Sequence, residues 1–263
     1  DRIVGPIGGM LMAMLVLPVL FYTPDGRDAG ISIRQAAKQG VQEVVETVRQ
    51  LKRYANIAWY LLARMLFNDG MVGVLIFGGV YASGNFGWGT ITLLIFGLLT
   101  STSAMVGAYL GGLLDDRFGS MKTLKIAIGT SGVILILLTS ITPDTIFFVV
   151  NVSTEPVWQF PYFNTLSELI YLASVQIFAL FFVTGLSASR TVMARISPPE
   201  MATQFFGLYG LSGSVTAFLA PLLVAVVTDV TQSQRIGFAS LSGLIFLGGL
   251  LLIKVKEDRS EAA

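Results

Sequence analysis

Residues 88–119 read WGTITLLIFGLLTSTSAMVGAYLGGLLDDRFG. The first part, Trp88–Leu114, carries no charged side chain, and charge returns abruptly at Asp115, Asp116 and Arg117 before Gly119. A bilayer core about 30 Å thick needs about 20 apolar residues of helix to cross it. The stretch therefore reads as a membrane-spanning helix that ends in a tight polar turn. Six further stretches have the same character: Ile3–Tyr22, Ala55–Ala82, Leu124–Thr142, Leu169–Ser187, Phe205–Thr228 and Ile236–Ile253.

Whole-chain composition agrees with that reading. Of 263 residues, 54% are apolar and 13% charged, and the mean hydropathy is +0.74. Soluble domains carry about 25% charge, so an ordinary aqueous surface could not be covered here. A net charge of +1 and a pI near 8.1 argue against a nucleic-acid partner, which calls for a basic excess. The chain has no cysteine and no histidine. That removes disulfides, thiolate nucleophiles, Cys–zinc sites, the Ser–His triad and the His-based metalloprotease helix. No enzyme chemistry, cofactor or metal is expected. The chain opens at Asp1 without Met and runs straight into an apolar segment, so the start is expected to be the cut end of a longer protein. With no basic region before that segment and no small-residue cleavage site after it, the segment does not read as a signal peptide.

Orientation follows from the basic residues. Pro24–Tyr54, Asp115–Lys125, the turn around Arg190–Ala202 and the tail after Ile253 hold fourteen of the 17 Lys and Arg. The opposite side has Arg2 and Arg235, and Arg64 lies within a helix. The basic side is expected to be cytoplasmic, with the C-terminus inside. In Pro24–Tyr54, a Ser32-x-x-Gln35 start resembles a capping box. Ala37, Val41, Val44, Val48, Leu51 and Ala55 then recur at helical spacing, which predicts an amphipathic helix along the cytoplasmic face. On the outer side, Pro143–Ser167 carries Phe147, Phe148, Trp158, Phe160, Tyr162 and Phe163, an aromatic set suited to the membrane interface. Asn151-Val152-Ser153 matches a glycosylation sequon there, a weak three-residue signal.

Ionisable groups at depth are costly and point to function. Counted at about 1.5 Å per residue from Ile57, Asp69 lies about 18 Å into its helix, near the midplane, and Arg64 about 10 Å, where it can snorkel partly. At about 100° per residue, Asn68 falls about 40° from Arg64 around the helix and Asp69 about 140°, so Arg64 and Asp69 are not expected to pair directly. Asp69 is expected to face another helix or a water-filled cavity. Gly70 and Gly73 are expected to weaken the helix beside it, as in interrupted transporter helices. Gly207, Gly210 and Gly213, and the pair Gly107 and Gly111, are expected to let helices pack closely.

The run Gly112-Leu113-Leu114-Asp115-Asp116-Arg117-Phe118-Gly119 resembles the Gly-x-Leu-x-Asp-Arg-x-Gly signature of the major facilitator superfamily. Gly112 would permit close helix approach, Gly119 the reversal, and Asp116 would complement a helix N-terminus. In that superfamily the motif latches a gate and binds no substrate. Ser120 and Met121 stand where basic residues usually follow. Three further features narrow the resemblance to the autophagy-type vacuole effluxer family. They are Asn68-Asp69-Gly70, Phe77-Gly78-Gly79-Val80-Tyr81-Ala82, and the run Ser189-Arg190 through Ala194-Arg195, Pro198-Pro199 and Phe205-Phe206-Gly207-Leu208-Tyr209. The likeness runs from Arg2 to Gly237; Gln204 and Ser214 depart from the family's usual acid and base.

The resemblance implies an all-α membrane protein whose seven transmembrane helices form the C-terminal part, sixth helix onward, of a twelve-helix major facilitator fold. Residues 1–22 would be the last helix of the N-terminal half, 23–54 a cytoplasmic inter-half loop with its amphipathic helix, 55–253 the C-terminal six-helix bundle and 254–263 a cytoplasmic tail. The implied function is secondary active transport by alternating access, a permease or effluxer of small polar metabolites. Amino acids are the class suggested by the yeast members, and a proton is the candidate coupling ion. The candidate substrate or coupling residues are Asp69, Asn68, Arg64, Gln176, Thr100 and Ser103; the gating set is Gly112, Asp116, Arg117, Gly119, Arg190 and Arg195. The expected partners are the polar solute, a proton, the lipid bilayer and the remaining half of the same chain. The expected location is the inner or plasma membrane in a bacterium and the vacuolar membrane in a fungus. A transport-inactive scaffold or sensor on the same fold is the alternative. An intramembrane hydrolase lacks its histidine or second midplane aspartate.

Overall fold

The structure is a computed structural model that describes residues 4–22, the single positions 35, 40, 42, 48, 49 and 51, and residues 53–256. The amphipathic helix expected within Pro24–Tyr54, and the tail beyond residue 256, lie outside the described residues. The chain divides into two units, residues 1–43 and 44–263. In the first, α1 spans Val4–Tyr22 and contains Pro18.

Among its described residues, the second unit is mostly helical, with one short hairpin and an irregular stretch from residue 152 to 165. Its helices are α2 (Ala55–Phe86), α3 (Thr90–Phe118), α4 (Ser120–Thr139), α5 (Leu166–Ile196), α6 (Ala202–Val215), α7 (Leu219–Thr231) and α8 (Gln234–Leu251). Among the described residues, six spans are long and apolar enough to cross a membrane, with residues 199–231, α6 and α7 together, counting as one. This is an all-α membrane protein, as its composition demands. Between α4 and α5, β1 (Thr145–Ile146) pairs antiparallel with β2 (Val150–Asn151), Thr145 opposite Asn151.

In lipid there is little hydrophobic gain from bringing helices together, so close approach at small residues carries the packing. Gly107 and Gly111 show this. A Cβ at Gly107 would fall on the Leu180 backbone of α5, and one at Gly111 would lie 3.1 Å from the Thr184 Cα. The closeness lets the Thr184 hydroxyl donate to the Gly107 carbonyl at 2.9 Å. Gly248 of α8 does the same against α2, where a Cβ would sit 2.5 Å from the Phe67 nitrogen. Tyr60, Phe67, Tyr171, Phe178, Phe205 and Phe238 fill the space between.

Several expectations need correction. α2 is not interrupted at Gly70 and Gly73. It runs unbroken to Phe86, because those glycines are contact points: a Cβ at Gly70 would lie 2.6 Å from Ile245 Cγ1, and one at Gly73 2.9 Å from the Ala220 Cβ. The interruption falls instead in the stretch read as one helix from Phe205 to Thr228. Here α6 ends at Val215 and α7 begins at Leu219. Gly112, Gly207 and Gly210 have no neighbour at a Cβ position among the described residues, so none of them makes the close approach expected of it there. Helix α5 continues past Ser187 to Ile196, which puts Arg190 and Arg195 on its last turns rather than in a loop. Ser197-Pro198-Pro199 stops it, since proline lacks the amide and forces the preceding residue out of helical geometry.

At the other end of the bundle, α5 starts with a full capping box. The Thr165 hydroxyl accepts from the Glu168 amide, and the Glu168 side chain accepts from the Thr165 amide. Glu168 also accepts from Trp88 Nε1 at 2.6 Å, fixing the α2–α3 turn onto α5. Of the aromatic set expected at the interface, Phe147, Phe148, Trp158 and Phe160 are exposed. Phe163 instead buries edge-on against Trp88, ring centroids 4.9 Å apart.

Candidate functional site

Among the described residues, two clusters of polar side chains link neighbouring helices, one buried and one half-buried. The larger joins α2, α5 and α6 around the helix break. It starts at Tyr60, whose hydroxyl meets both the carbonyl (2.5 Å) and the hydroxyl (2.7 Å) of Ser189. The Tyr209 hydroxyl donates to the same Ser189 Oγ at 3.1 Å. One turn further along α2, Arg64 Nη1 donates to the Tyr209 carbonyl at 2.8 Å and to Ser212 Oγ at 2.7 Å. Its guanidinium lies 3.6 Å from the Tyr209 ring centroid, a cation–π contact. Gly213 makes room, since a Cβ there would stand 3.0 Å from Arg64 Nη1. Arg64 therefore does not snorkel. It is 8% exposed and turned inward, because α6 offers two acceptors and an aromatic face within the bundle.

Asp69 is buried further, at 3% exposed, with Asn68 beside it at 9%. Asp69 makes no direct ion pair with Arg64 among the described residues; its side-chain neighbour is the Thr216 hydroxyl, and the Arg64 charge acts on it from a distance. Thr216 sits at the end of α6 and donates to the Ser212 carbonyl at 3.2 Å. One carboxylate oxygen, Asp69 Oδ2, is buried with no hydrogen-bond partner. A buried acceptor without a donor is costly in a medium of low dielectric, and this one stands beside a helix interruption.

The second cluster joins α3 and α5. Ser103 Oγ donates to Gln176 Oε1 at 2.8 Å, and Gln176 Nε2 reaches Thr100 Oγ1 at 3.5 Å. Thr100 also donates back to the Phe96 carbonyl at 2.7 Å. The three polar residues singled out on these helices are thus brought together. No contact joins this cluster to Asp69 among the described residues.

At the α3–α4 turn, Gly119 has φ +84°, the left-handed region that its missing Cβ permits. Asp116 and Arg117 are exposed, and the buried, unpartnered carboxylate oxygen belongs to Asp115. Arg117 lies over the Phe118 ring, while Arg190 and Arg195 are exposed at the end of α5.

Sequence reasoning missed Tyr60, Ser189 and Thr216. The available signal was three polar side chains within apolar stretches, at positions where a helix facing lipid would carry none.

A bundle of apolar, membrane-length helices with a buried acid beside a broken span defines a multi-pass helical membrane protein. The chain belongs to the family described as Vacuole effluxer Atg22 like, which matches residues 2–263. It is similar to an uncharacterized MFS-type transporter, YxiO, of Bacillus subtilis, at 26% identity over 82% of this chain and 44% of the relative. It is also similar to Autophagy-related protein 22 of Cryptococcus neoformans, at 23% identity over 96% of this chain and 46% of the relative. The Saccharomyces cerevisiae protein of that name is 23% identical over 85% and 40%. The chain thus spans less than half the length of these curated relatives.

Proposed function

We propose that residues 55–253 are the C-terminal bundle of a secondary active transporter of small polar metabolites that works by alternating access. Residues 1–22 would close the preceding half, residues 23–54 would link the halves, and residues 254–263 would form a cytoplasmic tail. The observation that carries the reading is Asp69: buried, one oxygen unpartnered, and set against the α6–α7 break. A polar solute, with amino acids the first class to test, enters a cavity bordered by Asp69, Asn68 and the Gln176–Thr100–Ser103 cluster. Asp69 carries the coupling proton or holds a substrate amine. The family and the MFS-type relative support transport over a scaffold or sensor role. Uptake or efflux of labelled amino acids by the full-length protein in liposomes tests it; a correctly folded protein with no flux of any polar solute favours the scaffold.

Orientation gives a first prediction. With the basic residues on the cytoplasmic side, an engineered Thr154→Cys in this cysteine-free chain should be labelled by impermeant maleimide from outside only. Labelling from the cytoplasm alone reverses the topology.

The turn gives a second. Asp116 is exposed on the last turn of α3, and no contact joins it to either polar cluster among the described residues. Asp116→Asn should slow transport while leaving equilibrium solute affinity within a few-fold, as expected of a latch. Loss of all binding in folded protein rules the latch out.

A further inference from the structure

A groove of about 510 Å³ opens between α2, α7 and α8, near the ends of the helices that flank the α7–α8 turn and away from both polar clusters. That volume lies in the range of small-molecule sites. Its wall is aromatic and aliphatic: Phe77 and Tyr81 of α2, Val224 and Ala225 of α7, and Phe238 of α8, with Tyr81 and Phe238 stacked at 5.0 Å. From Pro221 to Asp229 it follows α7 for about 12 Å, at about 1.5 Å per residue. One end is polar and holds a single ionisable group, Asp229. The Asp229 carboxylate is exposed and takes part in no hydrogen bond or ion pair among the described residues; only its backbone carbonyl is engaged, by Gln232. No Lys or Arg lines the groove itself; Arg235, next to Gln234 and close enough for its charge to act on Tyr81, directs its Nε to the Thr139 carbonyl and lies over the Phe148 ring.

We propose that this groove binds a lipophilic ammonium, a cationic head on an apolar body. The body lies along Phe77, Val224 and Ala225, and the head meets Asp229 at the polar end. The chemistry selects that class. An aromatic wall and one carboxylate attract a cation and repel an anion, and the apolar length requires more than a simple amine. A phospholipid with an ammonium head fits less well, because it brings a phosphate, and the nearby cation, Arg235, already donates to the Thr139 carbonyl and lies over the Phe148 ring. The site is separate from Asp69, so it stands whether or not Asp69 couples transport.

The test uses the full-length protein in nanodiscs of anionic glycerol-headgroup lipid, with calorimetry of dodecyltrimethylammonium, dodecyl sulfate and dodecyl maltoside below their micellar concentrations. The ammonium should bind at least tenfold more tightly than the other two. Asp229→Asn should weaken it about tenfold, and Ala225→Trp, which fills the groove, should abolish it; wild-type-like melts confirm that both variants fold. If Ala225→Trp does not fold, Asp229→Asn decides alone. Equal binding of all three amphiphiles overturns the proposal, as does an unchanged affinity in Asp229→Asn. Competition from ethanolamine lipids added to the discs would identify a membrane lipid as the occupant and overturn the choice of a free lipophilic cation.

Discussion

Asp69→Asn should abolish accumulation of solute against a gradient by the full-length protein while leaving solute counterflow intact. The substitution keeps the shape of the side chain and fixes it in a neutral state. A step that needs the carboxylate to gain and lose a proton then stops, whereas exchange of solute across an unchanged cavity does not. The Thr216 hydroxyl is the neighbour an amide would meet, and Arg64 acts on the site only from a distance while keeping its own acceptors on α6, so an amide can replace the acid without unseating Arg64. The effect on accumulation should exceed tenfold, down to simple equilibration. Substrate-amine recognition makes a different prediction: counterflow is lost with accumulation, and affinity for solutes without an amine is unchanged. Normal accumulation together with a normal melt would remove Asp69 from the mechanism altogether.

The membrane class and the spans were legible in the sequence because a bilayer imposes one requirement, length of apolar helix, that composition displays directly. Asp69 was legible for the related reason that an acid at such depth is expensive. What was not legible depends on which helix lies opposite. Gly70 and Gly73 look like a weak point along α2, yet the atoms of Ile245, Leu241 and Ala220 make them contact points, and only the neighbouring chain reveals that. The break at residues 216–218 follows Ser212-Gly213-Ser214 and precedes Pro221, which has no amide to bond the residue 217 carbonyl and so sits in the first turn of a new helix. That local signal was in the sequence, but the polar residue Thr216 gains meaning only from Asp69 across the gap. Arg64 was misplaced for the same reason. Depth alone suggested an escape to the interface, but the Tyr209 carbonyl, the Ser212 hydroxyl and the Tyr209 ring together provide a closer destination.

Arg64→Met is expected to be the most destabilising single change in the polar cluster. The guanidinium ties α2 to α6 just before the break, through one nitrogen with two acceptors and a ring face. Charge-assisted hydrogen bonds are each worth about 1.5–3 kcal/mol, and the cation–π contact adds about 1 kcal/mol. Against this stands the cost of keeping a cation away from water, so the net loss should be about 2–4 kcal/mol. Arg64→Lys should recover little of it, because an ammonium lacks the flat face that stacks on Tyr209. A second consequence follows from Asp69. With Arg64 gone, the one opposite charge that acts on that carboxylate among the described residues disappears, and the buried acid loses that compensation. The double variant Arg64→Met with Asp69→Asn removes both charges and should be more stable than the sum of the single changes predicts, by about 0.5–3 kcal/mol of coupling. Thermal or denaturant melts of the four proteins close this cycle. A wild-type melt for Arg64→Met would show that the clasp holds nothing. Strict additivity in the double variant would show that Arg64 and Asp69 act separately, and that the break is positioned by Arg64 alone.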